Sequence, residues 1–302
     1  MMTGETRTAR NGIMRQLLLA SRPLSWINTA FPFAAAYYLT SGTIDAALVI
    51  GTIFFLIPYN LAMYGINDVF DYASDMANPR KGGVEGALLD ESAHRTTLIV
   101  AIASCVPFVI ALFVVGSPAS WAVLAVSLFA VAAYSVPGLR FKEVPFLDSI
   151  TSSTHFVSPA VYGLVLAGAS FSPAIIVILL AFFLWGIASH AFGAVQDVIP
   201  DREGSISSTA TVLGAANTVR IALACWAVAG VMLLTLPWPG SLAAALVIPY
   251  LVLAWPYRSV SDADSGAANG GWRHFLWVNY AVGFLATMLL IVTALNARSL
   301  VG

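Results

Sequence analysis

Apolar residues run along this chain in long blocks separated by short polar segments. The blocks predict membrane-spanning helices at about 23–41, 46–67, 96–115, 119–135, 147–168, 173–192, 214–236, 241–256 and 274–296. Each approaches the length of roughly 20 apolar residues that crosses a bilayer as a helix. Recurring runs of that length imply a bundle of spanning helices, so the fold class is all-α. The expected architecture is one polytopic domain over 1–302, with nine transmembrane helices and 1–21 as a cytoplasmic N-terminal tail.

The connecting segments alternate in character. Those near 42–45, 116–118, 169–173 and 237–240 contain no Lys or Arg. The other set carries Arg7, Arg10, Arg15, Arg22, Arg80, Lys81, Arg95, Arg140, Lys142, Arg202, Arg220, Arg258 and Arg273, and of the 14 basic residues only Arg298 falls elsewhere. The positive-inside rule then places the N-terminus in the cytoplasm and the C-terminus outside. Arg7, Arg10 and Arg15 ahead of an apolar run resemble a signal-peptide n-region, but the length of that run favours an uncleaved first span. Trp26, Trp121, Trp238, Trp255 and Trp272 lie near predicted span ends, where interfacial anchoring suits them. Ser259 to Gly271, rich in Ser, Asp, Ala and Gly, reads as a flexible cytoplasmic loop.

Composition fits this picture. Of 302 residues 59% are hydrophobic and only 10% charged, with mean hydropathy +0.84, against about 25% charged in soluble domains. A net charge of −1 gives no reason to expect a nucleic-acid partner. Cys105 and Cys225 lie inside apolar runs without metal-ligand spacing and read as packing residues.

The candidate chemistry is acidic. Asn67-Asp68-Val69-Phe70-Asp71-Tyr72-Ala73-Ser74-Asp75 ends the second span, and Gln196-Asp197-Val198-Ile199-Pro200-Asp201 ends the sixth. Together they form a weak internal repeat on one side of the membrane. Asp68, Asp71 and Asp75 share a helix face; Asp197 and Asp201 do too if the helix persists past Pro200. Clustered carboxylates repel one another, and a divalent cation removes that penalty. An all-oxygen donor set suits Mg²⁺, which prefers a few carboxylates plus substrate phosphate oxygens. Two such half-sites facing across a cavity would bracket a diphosphate. Arg80, Lys81, Arg202 and the run Tyr134-Ser135-Val136-Pro137-Gly138-Leu139-Arg140-Phe141-Lys142 add base on the same side. Intramembrane His155 and His190 read either as interhelical hydrogen-bonding residues or as groups that steer a proton. A secondary transporter is the competing reading from a different class, although its acids belong nearer the bilayer midplane.

These motifs resemble the UbiA superfamily of intramembrane prenyltransferases: Ser21-Arg22-Pro23, the acidic run at 67–75, the run at 134–142, and Asp197 to Gly204 followed by Val212-Leu213-Gly214. The resemblance implies an all-α bundle of nine transmembrane helices around a central cavity, and a magnesium-dependent prenyltransferase. In it Asp68, Asp71, Asp75, Asp197 and Asp201 are catalytic and hold Mg²⁺, while Asn67, Arg22, Arg80, Lys81, Tyr134, Arg140, Lys142, Gln196 and Arg202 bind substrate. More narrowly, the stretches from Phe55 to Tyr72, Asn78 to Ala87, Thr151 to Phe156 and Gly193 to Val198 are similar to bacterial lycopene elongases. That implies dimethylallyl diphosphate as donor, the ends of lycopene as acceptor and a bacterial cell (inner) membrane as location. An aromatic or quinone-precursor acceptor is the alternative within the superfamily.

Overall fold

The computed structural model describes residues 4–77 and 89–299, all helix, turn or irregular, with no strand among them. Among the described residues fourteen α-helices run in chain order. They are α1 (Gly4–Ala20), α2 (Ile27–Ser41), α3 (Ala46–Leu56), α4 (Pro58–Phe70), α5 (Tyr72–Ala77), α6 (Glu91–Val115) and α7 (Pro118–Ser135). Then come α8 (Leu147–Leu166), α9 (Pro173–Val195), α10 (Val198–Glu203), α11 (Thr209–Leu213), α12 (Ala215–Leu233), α13 (Ile248–Ala254) and α14 (Asn269–Ser299).

All nine predicted blocks are helical over most of their length. Among the described residues seven helical stretches are long and apolar enough to cross a membrane on their own: Ala46–Phe70, Glu91–Val115, Pro118–Ser135, Pro173–Val195, Ala215–Leu233, Gly240–Tyr257 and Ser265–Asn296. The other two blocks differ for identifiable reasons. Helix α2 has 15 residues, about 22 Å of rise, short of a bilayer core of about 30 Å. Helix α8 has 20 residues but carries Asp148, Ser149, Thr151, Ser152, Ser153, Thr154 and His155 in its first half. Ile99, Ile110, Val114, Val231, Val252 and Phe284 are exposed, which suits a hydrocarbon surround and not water. The molecule is a multi-pass membrane protein.

The chain divides into two compact units, Met1–Arg140 with Ser158–Gly168, and Phe141–Val157 with Ala169–Gly302. The core of the first is aromatic. Phe33 packs on Phe55 (centroids 5.2 Å apart) and Tyr162 (5.9 Å), while Phe55 meets Phe54 (4.9 Å) and Tyr59 (5.1 Å) edge-on. Gly51 meets the Cζ end of the Phe33 ring, with which a Cβ would collide. Pro58 cannot donate a backbone hydrogen bond, so the second span breaks between α3 and α4. The carbonyl of Phe55 is taken up by the Thr29 hydroxyl (2.7 Å) and the Asn60 amide (2.8 Å), and Asn60 also donates to Thr29 Oγ1 (2.7 Å). A buried polar knot thus repairs the break. In the segment read as a tail, α1 forms a helix whose Gln16 amide bonds the Asp90 carboxylate just ahead of α6.

The second unit packs small residues and large rings together. Ala188, Ala191, Ala222 and Ala229 are all at most 1% exposed, allowing close helix approach. Trp226 stacks on Tyr250 (5.5 Å) and Trp272 on Phe275 (4.8 Å). The Ser259–Gly271 segment, read from composition as a flexible loop, forms turns and a short helical turn with several contacts. Ser265 and Ala268 are buried, Ser261 bonds Asp264 (2.6 Å), Arg220 Nε donates to the Arg258 carbonyl (3.0 Å), and the Arg258 guanidinium lies 4.5 Å over Trp255. Small polar residues here serve tight turns and close packing, a use that composition does not separate from flexibility.

Candidate active site in two acidic clusters

In the first unit, α4 ends at Phe70 and a six-residue helix, α5, begins at Tyr72. Between them Asp71 sits at φ −100°, ψ 1°, the sparsely populated bridge region where active-site residues recur. The backbone continues the helical rise, with Asp71 N–H donating to the Asn67 carbonyl (2.9 Å) and Asp75 N–H to the Asp71 carbonyl (2.8 Å). Asp68, Asp71 and Asp75 therefore lie within two turns, at 1%, 6% and 6% exposure. Three carboxylates buried so closely are costly unless cations attend them.

Two arginines do so. Arg22 Nη2 donates to Asp68 Oδ1 at 2.7 Å, and its guanidinium lies 4.4 Å over the Tyr64 ring. Burial opposes the Arg22 charge, but Asp68, Tyr64 and Asp75 together offset it and raise the Arg22 pKa. Arg140 Nη2 stands 3.8 Å from Asp71 Oδ1, beyond hydrogen-bond reach but close enough to attract. Both arginines adopt left-handed backbone conformations, φ 50° and 41°, which cost non-glycine residues energy and mark positions fixed by their surroundings. Asn67 Oδ1 accepts from Ser135 Oγ at 2.9 Å. Arg22, Asn67, the three aspartates and Arg140 are thus brought together, and Tyr134 is half-buried at the end of α7. Arg80 and Lys81 lie outside the described residues. Tyr64 and Ser135 were not singled out from the sequence; Tyr64, four residues before Asp68, shares its helix face.

The second unit repeats the backbone device. Helix α9 ends at Val195, Asp197 takes φ −97°, ψ 0°, and a second six-residue helix, α10, follows. Asp201 N–H donates to the Asp197 carbonyl (2.9 Å), and both aspartates are half-buried. The helix does not persist unbroken: it is interrupted at Asp197, three residues before the proline, and Pro200 falls in the first turn of α10, where a missing N–H is tolerated. Gln196 is buried, donating to the Gly193 carbonyl (2.9 Å) and accepting from the Asn269 amide (2.6 Å). Arg202 gives Nη1 to Asp262 (2.7 Å) and both Nε and Nη2 to the Thr211 carbonyl (3.2 and 2.7 Å). Lys142 lies in the short helical turn Phe141–Glu143.

A residue without an assigned role also matters. Asp148, fully buried, accepts from the Thr209 N–H (2.8 Å), the Thr209 hydroxyl (2.5 Å) and the Ser149 N–H (2.6 Å), joining the start of α8 to that of α11. Beside it the Ser149 hydroxyl meets His190 Nδ1 at 3.1 Å. His155 is buried in α8.

The donor set of the first cluster, three buried carboxylates and no thiol or imidazole, fits a hard cation such as magnesium. Among the described residues no three His, Cys, Asp or Glu side chains converge tightly enough to enclose an ion.

The model of the UbiA prenyltransferase family matches residues 29–280. The chain is 53% identical over 290 residues to the C(50) beta-cyclic carotenoids biosynthesis protein LbtBC of Dietzia sp. (strain CQ4), covering 96% of this chain and 67% of that protein. It is 51% identical over 278 residues to a lycopene elongase/hydratase of Corynebacterium glutamicum, covering 92% and 97%. Among solved structures, a UbiA homolog from Archaeoglobus fulgidus bound to DMAPP and Mg2+ matches with TM-score 0.61 at 20% identity, over 88% of this chain and 98% of that one. With the family model spanning most of its length and half its residues shared with these relatives, the chain belongs to the UbiA prenyltransferase family.

Proposed function

We propose that this prenyltransferase moves a dimethylallyl group from dimethylallyl diphosphate to the ends of lycopene, with Mg²⁺ as its cofactor. The observation that carries the reading is the first cluster: three buried carboxylates within two helical turns, attended by Arg22 and Arg140. The acceptor rests on the relatives named above, whose names concern lycopene and C50 carotenoids. The Lys and Arg distribution supports a cell-membrane protein with cytoplasmic N-terminus and external C-terminus.

Asp68, Asp71 and Asp75 would hold magnesium, as would Asp197 and Asp201. When bound, the metal neutralises charge that builds on the departing diphosphate. Arg22, Arg140, Lys142, Arg80 and Lys81 would bind diphosphate oxygens, with Asn67 fixing the donor's position. The allylic C–O bond breaks and its electron pair leaves with the diphosphate. Tyr134 would stabilise the allylic cation through its ring face, and apolar side chains exclude water from it. The terminal alkene of lycopene supplies the electron pair for the new C–C bond. The resulting tertiary cation ends by losing a proton, which pyrophosphate can accept, or by capturing water.

The test is expression in bacteria that accumulate lycopene, with pigments read by mass spectrometry. Carotenoids heavier by one or two five-carbon units, absent with the Asp68→Ala, Asp71→Ala double variant, are expected. Unchanged lycopene with the protein present in membranes would overturn the acceptor and point to an aromatic or quinone-precursor substrate.

A further inference from the structure

Asp201 lies in a helix of six residues and Asp197 holds the position just before its start; so short a helix does not hold its own geometry. Both are only half-buried, so neighbouring structure must fix them. The residues that flank the pair supply the anchors. Gln196, immediately before Asp197, accepts from the Asn269 amide at 2.6 Å. Arg202, immediately after Asp201, binds Asp262 at 2.7 Å. Asp262 and Asn269 lie in one segment, the stretch following Arg258.

That segment is itself secured. The other oxygen of Asp262 accepts the N–H of Ala215, the first residue of α12, at 2.7 Å. Gly214 allows this approach: its φ is +79°, and a Cβ there would stand 3.0 Å from Asp262 Oδ1. Arg202 also holds the Thr211 carbonyl, so one guanidinium joins α10, α11 and the segment. Ser265 and Ala268 bury its far half.

We propose that the Arg258–Asn269 segment is a clamp for the second acidic pair, with Asp262 and Asn269 as its positioning residues. Asp262 acts through Arg202 and Asn269 through Gln196; neither needs to touch substrate. Arg202 and Gln196 then serve chiefly to orient the aspartates between them. The leaner cluster, with two carboxylates against three, depends on this pre-organisation to hold a metal–diphosphate unit. The inference rests on the magnesium reading given above.

The test uses the purified full-length protein in detergent, with Mn²⁺ as a paramagnetic stand-in for magnesium and inorganic pyrophosphate as the anion. Electron paramagnetic resonance measures Mn²⁺ affinity without catalysis. Asp262→Asn and Asn269→Ala are each expected to weaken pyrophosphate-dependent Mn²⁺ binding about tenfold, while Asp262→Glu, which keeps the charge, recovers most of it. Thermal unfolding reports whether each variant is folded. Unchanged Mn²⁺ affinity in folded Asp262→Asn and Asn269→Ala would overturn the clamp, and if Asp262→Asn fails to fold, Asn269→Ala alone decides. Failure of the unsubstituted protein to take up Mn²⁺ with pyrophosphate would instead defeat the magnesium reading, and the clamp with it.

Discussion

Arg22 and Asp68, 46 positions apart, meet at 2.7 Å with the Arg22 guanidinium laid over Tyr64. Asp68 is 1% exposed, and a buried carboxylate needs attending cations, of which Arg22 is one. Removing one member of a buried ion pair strands the other, at a cost of roughly 3 kcal/mol. Arg22→Ala is therefore expected to lower the thermal midpoint and abolish most turnover. Arg22→Lys should restore much of the stability but less of the activity, since an ammonium neither forks nor stacks as a guanidinium does. Thermal unfolding and product formation on the same preparations check both.

Asp71 lies one turn further on and Asp75 two. Asparagine at either position keeps the size and most hydrogen bonding while removing the charge a cation needs. Turnover is expected to fall on the order of 100-fold with the fold retained, and added magnesium should recover part of the loss. A variant as active as the unsubstituted protein at low magnesium would remove that aspartate from the site.

Asp148 is expected to be structural. It accepts three hydrogen bonds while fully buried. Asp148→Ala would strand the Thr209 N–H and hydroxyl, costing roughly 3 kcal/mol or more. The folded yield in detergent should drop sharply, and Thr209→Val should drop it less. Equal yields for both variants and the unsubstituted protein would contradict this role.

Asp262 gives a pH signature. The Ala215 N–H and then the Arg202 guanidinium hold its carboxyl below the usual carboxylate range. A lowered folded pKa contributes stability that is fully present above the unfolded value of about 3.9 and is lost as pH falls through the folded value. The stability gap between the unsubstituted protein and Asp262→Asn should thus be widest near neutral pH and close in strong acid. A gap independent of pH, from unfolding curves between neutrality and pH 3, would contradict the assignment.

The helices and their polar ends were legible because block length and charge alternation are carried by many residues at once. The helix breaks were not. Neither Asp71 nor Asp197 announces its bridge-region backbone by residue type, yet each starts a six-residue helix there. Those breaks also align the repeat differently from the motif text. By backbone, Asp71 and Asp75 correspond to Asp197 and Asp201, and Asp68 with its Arg22 is an addition peculiar to the first cluster. Pairings such as Gln196 with Asn269, or Arg202 with Asp262, join positions 60 or more residues apart. No local periodicity encodes them, so a loop rich in small polar residues hid its role.

The most direct test of the central claim is made on purified protein in lipid vesicles containing lycopene, supplied with isotopically labelled dimethylallyl diphosphate with and without magnesium. The account expects label to enter carotenoids of one or two added five-carbon units, only with magnesium present and not with Asp71→Asn. Label transfer that proceeds equally after complete chelation, or that survives loss of the aspartates, would contradict it.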